Sequence, residues 1–124
     1  VSVPLIIVTW LWKTTGWRKG YNAGHVNAME RMLKKYLTIP YEMICITDMP
    51  EGVNCRTIPL WDIPKMPRRL RGPNCYKRLR LFAPDIHEVL DVPQNSRLCS
   101  LDIDTVIFNN IDHIFDNDHD FMIR

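Results

Sequence analysis

"LIIVTWLWKTTGWRKGYNAGHVNAMERMLKKYLTIPYEMICITD", residues 5–48, is the stretch that decides the fold. Its opening, "LIIVTWLW" (5–12), is an apolar run rich in β-branched and aromatic residues and reads as a buried strand. "KTTGWRKG" (13–20) follows as a loop with two glycines. Asn22 is placed to cap a helix from about Ala23 to Tyr36, in which Val26, Met29, Met32 or Leu33, and Tyr36 or Leu37 recur at helical spacing. Pro40 cannot continue a helix and closes the unit. "YEMICIT" (41–47) is a second strand. Strand, helix, strand in that order predicts a parallel pair joined by a crossover.

The remainder extends the pattern. "DMPEG" (48–52) is a turn-forming cluster and "VNCRTIPL" (53–60) a shorter extended piece. Pro59, Pro64, Pro67 and Pro73 break residues 59–74 into a long irregular loop. "CYKRLRLFA" (75–83) restarts a helix, with Asn74 as its cap and Pro84 at its end. "HEVLDVPQNSRLCSLDID" (87–104) brings another strand, from about Arg97 to Leu101, "NIDHIF" (110–115) a helical turn, and "DFMIR" (120–124) the start of a further strand. The expected fold is α/β, a single domain over 1–124 with an open, mostly parallel sheet flanked by helices.

A chain of 124 residues has room for one domain, and 46% hydrophobic with 24% charged residues is the balance of an ordinary globular protein. The net charge of +2 points to no particular partner, but its distribution is uneven. Lys65, Arg68, Arg69, Arg71, Lys77, Arg78 and Arg80 form a basic stretch without an acid, and Asp112, Asp116, Asp118 and Asp120 an acidic one without Lys or Arg. Cys45, Cys55, Cys75 and Cys99 lie far apart with no C-x-x-C pair, which argues against a finger-type zinc site and for free thiols in a reducing, cytoplasmic setting. The longest apolar run, about ten residues, is too short for the roughly 20 that a membrane helix needs. No signal-peptide pattern surrounds it, and the absence of Met at position 1 suggests a processed chain or a fragment.

The chemistry concentrates in "SLDIDTVIFNNID" (100–112). Asp102 and Asp104 sit one residue apart where an apolar strand ends, and carboxylates beside a core are costly unless compensated. Extended alternation turns both toward one side and Ile103 into the core. Oxygens facing one way suit Mg²⁺ or Mn²⁺, hard cations that retain water and phosphate ligands. A solvated turn is the plainer alternative.

"SLDIDTVIFNNIDHIF" (100–115) resembles the D-x-D segment of GT-A fold glycosyltransferases, which use nucleotide sugars. "IIVTWLW" (6–12), "YNAGHVNAMERMLKKYLTIPYEMICITDMPEG" (21–52) and "CYKRLRLF" (75–82) resemble that family's first strand, its next helix, strand and T-D turn, and its helix before the D-x-D, in the same order. The resemblance implies metal-dependent sugar transfer from a nucleotide sugar, a UDP sugar above all, to an unidentified acceptor. It implies that Thr9 and Trp10 border base and ribose, that Tyr21 stacks on the base, and that Asp48 contacts base or ribose. Lys77 then reaches the diphosphate, Asp102 meets ribose or metal, and Asp104 ligates Mn²⁺ or Mg²⁺. The basic stretch 65–80 becomes a lid over the phosphates, or else solvated surface. The family's acceptor half, with any later metal ligand or catalytic base, is expected beyond Arg124.

Three alternatives stay open. "LDIDTVIF" also fits the D-x-D-x-T/V pattern of haloacid-dehalogenase-like phosphotransferases, although there the motif ends the first strand and here about 100 residues precede it. The chain could instead be a non-catalytic module that pairs through an open sheet edge as a homo-oligomer. Nucleic-acid binding through 65–80 lacks both a helix-turn-helix pattern and interleaved stacking aromatics. "DNDHD" (116–120) reads as a loose acidic loop or as a second cation site.

Overall fold

The computed structural model describes residues 3–14, 20–62 and 75–122. Strand β1 (Leu5–Leu11) lies at the centre and all seven of its residues are buried. Helix α1 (Ala23–Tyr36) and strand β2 (Tyr41–Thr47) complete the unit expected from residues 5–48. Strand β3 (Arg56–Pro59), helix α2 (Ile86–Leu90) and strand β4 (Arg97–Ser100) follow. The sheet order is β3-β2-β1-β4 and every neighbouring pair is parallel, so the protein is α/β with an open parallel sheet flanked by helices.

Alternation along β1 divides the core in two. Leu5, Ile7 and Leu11 pack with Val26, Met29 and Leu33 of α1, while Ile6, Val8 and Trp10 pack with Ile86, Leu90 and Val92 around α2. An inner parallel strand covered on both faces has no polar side, which is why "LIIVTWL" shows no polar alternation. Truncating Leu33 in such packing costs about 2–5 kcal/mol.

Helix α1 begins where its cap predicts. Asn22 Oδ1 accepts from Gly24 N at 2.8 Å, and His25 Nδ1 accepts from Asn22 N at 3.0 Å, a capping box with His in the usual Glu or Gln place. Beyond its end, Asp112 accepts hydrogen bonds from both the Thr38 backbone N–H and the Thr38 hydroxyl, tying the C-terminal segment to the helix. Residues 48–55 turn through Gly52 at φ 81°, and the Asn27 amide bridges Gly52 O and Asn54 N at 2.9 Å each. That left-handed backbone favours glycine.

Several elements differ from expectation. Residues Cys75–Phe82 wind as a 3-10 helix, tighter than the α-helix expected, and the anticipated Asn74 cap lies outside the described residues. Ile86–Leu90, read as part of the approach to a strand, is a short α-helix that ends on left-handed Asp91. Its C-terminal carbonyls meet Arg56, whose Nη1 donates to Leu90 O at 2.7 Å and Nη2 to Asp91 O at 3.3 Å. Strand β4 is four residues long. Asp112–Phe115 forms the expected helical turn, of 3-10 type. Residues 120–122 carry no strand, and the rest of "DFMIR" lies outside the described residues. Arg97 explains the local path: its guanidinium donates to the carbonyls of Phe115, Asn117 and His119 and to the Asn117 side chain, holding 115–119 in an irregular turn.

Candidate functional site

A cleft of about 190 Å³ opens beside the ends of β1 and β4. Trp10, Leu11, Trp12 and Thr14 come from the end of β1 and the loop after it, and Tyr21 from the entry to α1. Arg78 comes from the 3-10 helix, and Asp102, Ile103 and Asp104 follow β4. Chain order explains the position. From β1 the chain steps outward to β2 and β3, then returns to lay β4 on the other side of β1. The strand order therefore reverses beside β1, and ligand crevices of open α/β sheets form at the carboxyl ends of strands at such a point.

The aspartates reach this crevice by a different geometry from the one expected. Residues 102–105 are not extended: Thr105 N donates to Asp102 O at 3.0 Å, closing a turn. Both aspartates still line the cleft, and half-buried Ile103 packs into the core on the α1 side. The turn and the shared cleft are therefore compatible, because a turn at a strand's end projects its side chains beyond the sheet.

Asp102 is already compensated. Arg78 Nη1 lies 2.9 Å from Asp102 Oδ1, and the same guanidinium sits 5.5 Å over the Trp12 ring. Arg78 Nε is buried without a hydrogen-bond partner among the described residues. Beneath the turn, Trp10 Nε1 donates to Ser100 Oγ at 3.0 Å, fastening β1 to the last residue of β4. Tyr21 stands edge-on to His25 with ring centroids 5.0 Å apart and remains 43% exposed at the cleft.

Of the seven residues anticipated, Trp10, Tyr21, Asp102 and Asp104 come together in this cleft. Thr9 lies one residue before its wall, fully buried, and its hydroxyl has no partner among the described residues. Asp48 stays outside the lining, but its Oδ1 accepts from Lys13 N at 3.0 Å and so anchors the backbone between Trp12 and Thr14. Lys77 points elsewhere. It is 3% exposed, its ammonium donates to Trp61 O, and it lies 3.4 Å from the Asp62 carboxylate. Among the described residues the cation that lines the cleft is its neighbour Arg78, which sequence reading did not single out. The signal was the adjacent Lys77-Arg78 pair: successive residues on a helix face different ways, and only packing decides which one points inward.

Of the basic stretch 65–80, positions 65–74 lie outside the described residues. Lys77 and Arg78 are engaged as above, and Arg80 is 3.2 Å from Asp85 and 5.8 Å over Trp61. Among the described residues no three His, Cys, Asp or Glu side chains gather as a metal cage, at 116–120 or elsewhere, so the donor set of the cleft is a carboxylate pair. No described helix is long and apolar enough to cross a membrane. Comparison with protein-family models, with curated proteins and with solved structures finds no match.

Proposed function

We propose that this chain is the donor-binding part of a GT-A-like glycosyltransferase. It transfers a sugar from a nucleotide sugar, a UDP sugar in the simplest case, with Mn²⁺ or Mg²⁺ held by Asp102 and Asp104. One observation carries the reading: Asp102 and Asp104 both line a crevice at the carboxyl ends of β1 and β4, where the strand order reverses. Ligands of open α/β sheets bind at such switch points.

The donor set fits the ion. Two carboxylates bring hard oxygen ligands and leave the other positions to water and phosphate, as Mg²⁺-type sites do. The Arg78 guanidinium against Asp102 is a stand-in cation, marking a spot where positive charge is already accommodated. The metal's contribution when bound is to stabilise the charge that develops on the departing diphosphate. Tyr21 offers an exposed aromatic face at the cleft and Trp12 an aromatic wall, which suits a flat base. Asp48 keeps the rim in place through the Lys13 N–H.

The test is thermal. UDP with Mn²⁺ raises the melting temperature of the wild-type chain, and Asp104→Ala abolishes the rise. Ligand at about 100 times its Kd contributes about 2.7 kcal/mol, a shift of several degrees in a domain of this size. An unmoved wild-type curve refutes the donor site.

A further inference from the structure

We infer that Arg78 and a divalent cation compete for Asp102, so that the cleft takes the cation well only together with an anionic ligand that draws the guanidinium away. This rests on the reading of the cleft as a metal and diphosphate site. Arg78 Nη1 pairs with Asp102 Oδ1 at 2.9 Å, and the side chains are 32% and 57% exposed. An ion pair this open is weakly held and can be exchanged. A cation bridging Asp102 and Asp104 would lie within a few Å of the guanidinium, where like charges repel. Arginine does not relieve that repulsion by losing its proton, so it has to move.

Its movement is confined. The guanidinium is stacked over Trp12, which belongs to the same cleft wall. Nε–H is a buried donor with no partner among the described residues, so the arrangement against Asp102 leaves hydrogen-bonding capacity unused. A phosphate oxygen pair satisfies the fork of Nε and Nη together, which one carboxylate oxygen does not. Metal and phosphate then favour each other beyond any direct ligation: each removes the cost that Arg78 sets on the other.

Titration of Mn²⁺ into the full chain, followed by loss of the free Mn²⁺ resonance signal, tests this with and without UDP. Wild type binds Mn²⁺ weakly alone and about tenfold more tightly with UDP, within the usual range of coupling between sites. Arg78→Gln binds Mn²⁺ alone several-fold more tightly than wild type and shows a smaller UDP effect. Arg78→Lys, which keeps the charge, restores the weak metal binding of wild type. If wild type binds Mn²⁺ and Arg78→Gln binds it equally or less well, the competition is refuted while the site stands. If wild type takes no Mn²⁺ even with UDP, the site itself is refuted and the competition with it.

Discussion

Trp61 and Lys77 exchange hydrogen bonds: the indole Nε1 donates to Lys77 O at 2.8 Å, and the Lys77 ammonium donates to Trp61 O. Trp61 also stands edge-on to Trp10, with ring centroids 5.6 Å apart, so the pair is fixed to the central strand. The brace ties Trp61 to the start of the 3-10 helix and makes Lys77 a structural residue, whereas Arg78 beside it lines the cleft.

That division predicts opposite phenotypes for neighbouring substitutions. Lys77→Ala leaves the Trp61 carbonyl without its donor and removes a buried stem, costing about 2–4 kcal/mol. It leaves the temperature shift caused by UDP with Mn²⁺ in place. Arg78→Ala changes unliganded stability by less than about 1 kcal/mol, as an exposed ion pair should, but alters the ligand response. Chemical denaturation with and without ligand separates the two.

The Trp10–Ser100 bond predicts that Ser100→Ala destabilises the fold by about 1–3 kcal/mol, because a buried indole N–H loses its acceptor. The same variant loosens the end of β4 that carries Asp102. Urea denaturation gives the first effect, and faster amide exchange at residues 101–105 the second.

Asp112 supplies a pH prediction. Its bonds from the Thr38 hydroxyl and then the Thr38 backbone N–H hold its carboxyl below the usual 3.8. A depressed native value stabilises the fold above the unfolded value, and the contribution disappears as pH falls through the native one. Acidification from about 3.8 down through the native value therefore weakens the tie between Asp112 and Thr38 at the end of α1, and Asp112→Asn removes this part of the pH dependence. Amide exchange at Thr38 as a function of pH reports it.

The cysteines predict an order of alkylation. Burial pushes the Cys45 thiol up to about 12, and Cys55 and Cys99 up to about 11, so little thiolate exists at neutral pH. Cys75 is exposed. Iodoacetamide on the native protein modifies Cys75 first, and the others react at comparable rates only after unfolding, as peptide mapping shows.

Local chemistry was enough to write the β1-α1-β2 unit into the sequence. An unbroken apolar run, an Asn cap, helical spacing and Pro40 each act over a few residues and agree with one another. The strand end carrying Asp102 and Asp104 was legible for the same reason, since carboxylates interrupting apolar sequence stand out wherever they fall. Packing decided the rest. The turn at 102–105, the 3-10 winding of 75–82 and the inward Lys77 with outward Arg78 depend on partners tens of residues away: Arg78 meets Asp102, and Trp61 meets Lys77. Such contacts follow from the sheet order that brings β4 beside β1, and no local pattern encodes which charge a distant segment will present.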